Sequence, residues 1–489
     1  MASEVERSAE DGPHSAPLVP LPENGAPPQG AWQRWWSEPA GGREVLQLAL
    51  PLVISTISWT IMHFIDRMFL FWYSQDAMAA ALPAGVLSFA VFCFPLGICQ
   101  YVTTFVSQYH GARRPKEIGA AVWQGVWVGV LATPLVLATM PLAPLFFNWA
   151  GHEARVLQFE IVYYQVLCWG APGFLISAAL SSFFTGRGQT RVVMMVDGSA
   201  AMLNIALDYA WIFGHWGFPE GGIYGAAMAT NVALTFKMLV YLALFLRRKE
   251  REAHLTLARW PLDIHLFLRL LRFGFPAGVQ LLLEVTGFTI FLFLVGKIGP
   301  VELAASGMAL NVSMLAFMPI VGLAMAVTTL VGQYLGDNRD DLAARATWTS
   351  LTISTAYMAL LSVLYIGIPD LFLSGYMAKS TETEHIRRTA VVLLRFVAAY
   401  NLFDALNLIF VSAIKGAGDT RFVLITTVLM ASALGFGSLA AVEWLGAGLY
   451  GLWTYVTLWL WCLGSIYLLR FMQGRWRTMR VIEPALQNV

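Results

Sequence analysis

Charge is what this chain has least of. Only 12% of its 489 residues are Asp, Glu, Lys or Arg and 57% are hydrophobic, against about a quarter charged in soluble proteins, so an ordinary soluble domain is excluded. Cysteine is scarce as well. Cys93, Cys99, Cys168 and Cys462 lie in apolar runs without disulfide or metal spacing and read as small packing residues. Lys followed by Ser or Thr after a glycine-rich loop is missing too: the near miss Gly296-Lys297 runs on into Ile298, so no ATP site is visible. The chain also lacks a nucleophile with its base, a His/Asp metal cluster and a carbonyl filter of the potassium type, which argues against a membrane enzyme or a channel. No nucleic-acid or nucleotide partner and no cofactor is expected.

What is present is hydrocarbon. A spanning helix needs about 20 mostly apolar residues, and twelve such runs begin near residues 45, 78, 119, 156, 191, 222, 267, 301, 341, 387, 420 and 444. Bases are placed unevenly between the connecting segments. If the N-terminus is cytoplasmic, 23 Lys and Arg fall on that side and 5 on the other, with Arg67, Lys237 and Arg395 inside spans. Both termini are therefore expected in the cytoplasm, in a multi-pass protein of the plasma membrane. Residues 1–42 start rich in Pro, Ala, Gly and Glu, without a signal peptide's basic start and apolar core. They are expected to form a disordered cytoplasmic tail and an interfacial segment, with Trp32, Trp35 and Trp36 at headgroup level.

The chain is written twice. "VTTFVSQYHG" at 102–111 returns as "VTTLVGQYLG" at 327–336, a shift of 225 that also carries Pro51 onto Pro276. "GRGQTR" at 186–191 returns as "GAGDTR" at 416–421, a shift of 230, and Gly222-Ile-Tyr-Gly225 returns as Gly448-Leu-Tyr-Gly451. Four landmarks in one order imply duplication. Six spans per half is an even number, so the halves enter from the same side and form parallel repeats about an axis along the membrane normal. The expected fold is an all-α integral membrane protein of twelve transmembrane helices, two parallel six-helix repeats around a central cleft. Residues 43–246 form the N-lobe, 247–264 a cytoplasmic linker, 265–472 the C-lobe and 473–489 a cytoplasmic tail. The two glycine motifs read as turns between helices.

Function is sought where the halves differ. The first has His63 and Asp66 on its first span, Asn204 and Asp208 on the fifth and Thr230 on the sixth; the shifts set Phe288, Phe291, Leu434 and Ser438 opposite the first four. The second has Gln280 and Glu284 on the seventh span and Asn401, Asp404 and Asn407 on the tenth. Spacings of three and four put each set on one helix face. An ionised carboxylate at the bilayer centre costs about 2.5–3.5 kcal/mol on insertion scales, so such groups face a cavity, a partner or an ion. The bland alternatives are a hydrogen-bonded packing role for His63, a helix bridge for Asn204, and fixed pairing of Glu284 and Asp404 with Arg395 or Lys237. Arg67 reads as snorkelling to the headgroups, and Asp197 is left without a role.

Taken in order, "FID" on the first span, the paired "VTTxVxQYxG" and "GxGxTR" segments, "NIALD", "LEVT" and "NLFDALN" resemble the multidrug and toxic compound extrusion (MATE) family over residues 40–472. The resemblance implies an antiporter exporting small organic, often cationic, compounds in exchange for Na+ or H+ by alternating access, expected as a monomer in a bacterial inner membrane. It implies that Asp66, Asn204, Asp208 and Thr230 match a cation site able to take Na+, and that Glu284 with Asp404 matches the acidic pair of the NorM-like branch. His63, Gln280, Asn401 and Asn407 would support them. The fifth-span Asp is more typical of the DinF-like branch, so the chain combines features of both. The nearest rival, a flippase for lipid-linked sugars of the same superfamily, would want clustered bases for pyrophosphate, and the three intramembrane bases lie on separate helices.

Overall fold

A computed structural model of the chain describes residues 30–150, 153–374 and 381–483; most of the expected N-terminal tail and the last six residues of the C-terminal one lie outside these. Helix α1 (Ala31–Ser37) is short and carries the three tryptophans, with Trp32 and Trp35 stacked at 5.0 Å. The first half continues with α2 (Gly42–Tyr73), α3 (Gln75–Gly111), α4 (Pro115–Leu137), α5 (Ala143–Ala150), α6 (Ala154–Trp169), α7 (Ala171–Gly186), α8 (Thr190–Phe213) and α9 (Gly222–Phe245). A short α10 (Arg248–His254) lies in the linker. The second half contains α11 (Ile264–Ile298), α12 (Pro300–Gly336), α13 (Asp340–Gly367), α14 (Pro369–Leu373), α15 (Thr381–Ala417), α16 (Thr420–Glu443) and α17 (Leu449–Met472).

Eleven of these are long and apolar enough to cross a membrane, and α6 with α7, bent by 44°, makes a twelfth. That bend has a local cause. Pro172 cannot donate a hydrogen bond to the turn before it and its ring crowds that turn, so the helix ends at Trp169 and restarts after Gly170. The second copy carries Tyr400 where the 230 shift puts Gly170, and α15 runs unbroken.

Packing follows the duplication. Helix α2 lies on α8 as α11 lies on α16; α3 packs against α4 and α7 as α12 packs against α13 and α15; α9 covers α7 as α17 covers α15. The halves touch through α2 on α12, α3 on α11, and α3 on α12 across the axis. At that crossing the backbones approach too closely for a side chain. A Cβ on Gly111 would fall 1.9 Å from the Gln333 carbonyl oxygen and one on Gly336 would fall 2.2 Å from that of Gln108, the two contacts being related by the 225 shift.

The apolar core divides in a way that shapes the molecule. One cluster joins both halves through Val45, Leu52, Val102, Phe105, Val327, Leu330 and Ile414. Beyond it the core splits into a second-half cluster around Val295, Val312 and Trp453 and a first-half cluster around Leu70, Ala80 and Tyr164. The lobes are thus fused over the end that carries the basic turns, the linker and residues 475–483, and separate toward the other end.

The linker is docked onto the first lobe. Trp127 Nε1 donates to the Trp260 carbonyl at 3.0 Å, Arg187 reaches Glu250 at 2.6 Å, and His254 Nδ1 lies 3.0 Å from the same carboxylate. Burial alone would raise the Glu250 carboxyl, but hydrogen bonds from His254 and Arg187 outweigh it and hold it down at about 2. A depressed acid stabilises the fold above its ordinary pKa of 4.5 and loses that contribution as pH falls through about 2. In detergent, the unfolding temperature of the native chain is therefore expected to exceed that of Glu250→Gln at neutral pH, and the gap to close on acidification through that window. A gap independent of pH contradicts the assignment.

Candidate functional site

The first-lobe residues converge between α2, α6, α8 and α9. Asp66 (4% exposed), Asn204 and Asp208 (both 0%) and Thr230 (8%) are buried. With the Asn204 amide turned so that its nitrogen faces the acid, it donates to Asp208 Oδ2 at 2.9 Å and accepts from the Thr230 N–H at 3.3 Å. Tyr163 of α6 donates to Asp66 Oδ2 at 3.4 Å. Both carboxylates retain one buried oxygen, Asp66 Oδ1 and Asp208 Oδ1, that meets no donor among the described residues. The acids lie within electrostatic reach of each other. A buried acceptor without a donor is costly, and a proton or a small hard cation is the kind of group that satisfies such an oxygen.

His63, one turn below Asp66, stands edge-on to Trp59 with centroids 4.5 Å apart, and Trp59 stacks on Phe174 at 5.8 Å. It packs in an aromatic cluster and makes no hydrogen bond among the described residues. Arg67 is exposed and without an ion pair there, its side chain diverging from Asp66 by the helical turn of about 100°.

In the second lobe, Gln280 Nε2 donates to Glu284 Oε1 at 2.8 Å. Glu284 is exposed, and Asp404, with Asn407 beside its carboxylate, lies within electrostatic reach of it. Asn401 goes elsewhere: its amide donates to Ser362 Oγ at 3.2 Å and ties α15 to α13.

Fixed pairing of the second-lobe acids with Lys237 or Arg395 is not what the structure contains. Lys237 Nζ lies 2.8 Å from Asp197 Oδ1, Tyr241 donates to the same oxygen at 2.8 Å, and Ser55 donates to Oδ2. This accounts for Asp197: it is the centre of an ion pair stitching α2, α8 and α9. Ser55 and Asp197 precede Asp66 and Asp208 by eleven residues each, three helical turns. The pair therefore forms an inner polar layer on the same faces. Arg395 is exposed and unpaired among the described residues.

Two groups escaped sequence reasoning. Tyr163 carries no signal that sets it apart from fifteen other tyrosines. Lys415, counted with the basic turns, belongs to the last turn of α15 and lies within electrostatic reach of Glu284. Its signal was available, since eleven residues from Asp404 is three turns on one face.

A duplicated helical bundle that spans the membrane, divides its outer core into two lobes and buries acids within its helices has the build of a membrane transporter. The family model MatE matches residues 51–210 and 276–438, and the chain belongs to that family, a family of transporters. A probable multidrug resistance protein NorM of Xylella fastidiosa (strain 9a5c) is 29% identical over 417 residues, covering 83% of this chain and 87% of that protein. A protein of the same description from Thermotoga maritima is 25% identical over 444 residues, 90% of this chain and 94% of its own. Among solved structures, a multidrug resistance MATE transporter of the MOP superfamily in an outward-facing conformation matches with a TM-score of 0.82 at 17% identity, covering 92% of this chain and all of that one. The eukaryotic MATE transporter AtDTX14 matches at 0.76 and 18%, covering 89% and 96%. At such identities the structures speak for the fold alone.

Proposed function

We propose that the protein is a secondary antiporter that exports small organic, mostly cationic compounds in exchange for Na+ or H+. One observation carries the reading: two carboxylate oxygens, Asp66 Oδ1 and Asp208 Oδ1, are buried without a donor among the described residues, in one lobe of a bundle whose outer core divides in two. The conformation corresponds to the outward-open state if the basic end is cytoplasmic, as the placement of Lys and Arg favours. From outside, Na+ or H+ reaches Asp66 and Asp208, with Asn204 and Thr230 completing an oxygen-rich set. The substrate cation lies in the cleft against Glu284 and Asp404. Neutralising the first-lobe acids removes charge that favoured the substrate-bound arrangement; the substrate leaves outward and the lobes rock to open inward. Coupling requires only that ion and substrate prefer different states.

The driving force is sufficient. One charge crossing about 100 mV supplies roughly 2.3 kcal/mol, close to the roughly 2.7 kcal/mol of a hundredfold substrate gradient. The protein acts as a monomer in the plasma membrane with both termini inside.

Efflux of a fluorescent organic cation from vesicles, driven by a Na+ or a proton gradient imposed separately, tests this. A response to one of them is expected, and a response to neither rejects the reading. Glu284→Gln is expected to weaken binding of a monovalent organic cation about tenfold, the effect of about 1.4 kcal/mol, while binding of a neutral analogue is preserved.

A further inference from the structure

The motifs that revealed the duplication do more than turn the chain. Gln108 of the first "QY" segment donates from Nε2 to the Gly416 carbonyl of the second-lobe "GAGDTR" turn at 2.9 Å. Gln333, its copy, donates to the Gly186 carbonyl of the first-lobe "GRGQTR" turn at 2.8 Å. Each repeat thus holds the other's turn. The four residues obey the same 225 and 230 shifts as the sequence, so the two bonds form a reciprocal clasp across the axis at the fused end.

The symmetry is broken beyond the last helix of each half. After α9 the chain folds back onto its own lobe through the linker. After α17 it takes a turn at Arg475–Thr478, with Trp476 buried and stacked on Phe471 at 4.7 Å, and then crosses the seam. The Val481 N–H donates to Gln108 Oε1 at 2.8 Å, so the amide that grips Gly416 with its nitrogen is occupied at its oxygen too. The Val481 side chain sits on Gly418, where a Cβ would come within 2.7 Å of it. Glu483 then accepts from the Tyr109 hydroxyl of the first lobe at 3.3 Å and pairs with Arg269 of the second; its carbonyl accepts from Arg114 at 2.9 Å. Two residues of tail therefore touch both lobes: Val481 by one hydrogen bond and one packing contact, Glu483 by polar contacts to each.

We propose that residues 479–483 are a strap that bolts the lobes together at the basic end and must leave its seat before that end can open. The lobes cannot part there with the strap seated, because Gln108 and Gly418, or Arg114 and Arg269, would be drawn to opposite sides of one short segment. A stretch expected to belong to the cytoplasmic tail is thereby part of the gate. The proposal rests on the alternating-access reading.

The test places spin labels at Lys116→Cys and Asp341→Cys, both exposed and on different lobes at this end, in a Cys462→Ser background, since the other three cysteines are buried. In the otherwise full-length chain one short interlabel distance should dominate. Ending the chain after Met479, Val481→Pro, which removes the N–H that Gln108 accepts, and Glu483→Gln should each raise the long-distance fraction. The rise expected is about fivefold, the population shift that one or two net hydrogen bonds command. Unfolding scans on each sample verify folding, and if the shortened chain fails, the two point variants decide. A distribution unmoved by the variants yet shifted by ion or substrate overturns the strap alone. One that moves under no condition overturns the strap and the rocking together.

Discussion

Asp66→Asn abolishes gradient-driven efflux while the protein still folds. The substitution preserves volume and leaves an amide oxygen to accept from Tyr163, so the contacts of α2 with α6 persist. What it removes is the charge at an oxygen, Oδ1, that has no donor among the described residues. If that oxygen holds the travelling ion, the expected loss in rate is at least about a hundredfold, some 2.7 kcal/mol of coupling. Asp208→Asn should do the same, and the double variant should be no worse than either, because two groups holding one ion do not add. Efflux in Asp66→Asn within twofold of the native rate would remove Asp66 from the mechanism.

The second large effect is on stability. Lys237→Met leaves the Asp197 carboxylate among α2, α8 and α9 with hydroxyl donors only, and the pair is well enclosed, with side chains 17% and 16% exposed. Losing one partner of a buried pair costs about 3–5 kcal/mol, whereas replacing both is often neutral. The unfolding temperature of Lys237→Met in detergent should therefore fall by several degrees, and Asp197→Asn with Lys237→Met should recover most of it. A double variant as unstable as the single one would contradict a structural pair and point to an independent task for Asp197.

How far the sequence carried the fold depends on how strong its signals are. Twelve apolar runs and a duplicated pattern are imposed by the bilayer itself, which satisfies no backbone group, so the spans and their two-fold packing were legible; the bend at Gly170 is the difference a single proline makes. The candidate site was legible only as faces: Asp66, and Asn204 with Asp208, stand out from the background because a carboxylate in hydrocarbon is rare. Which faces meet was not. Asn401 shares its helix with Asp404 yet turns to Ser362, Lys237 selects Asp197 rather than a second-lobe acid, and Tyr163 becomes visible only when α6 is laid against α2. These are facts of tertiary packing, to which spacing along one helix is blind. The clasp lay between the two, since all four of its residues stood in the quoted repeats and only their reciprocity was hidden.

The most direct measurement is of ion binding itself, separate from transport. Purified protein in weakly buffered detergent is titrated with Na+ and, in a parallel experiment, with acid, and the native chain is compared with the Asp66→Asn, Asp208→Asn double variant. The account predicts that the native chain takes up protons or binds Na+ that the double variant does not, and that a bound Na+ displaces protons if the two compete for these carboxylates. Coincident titration curves and coincident Na+ isotherms for the two proteins would contradict it.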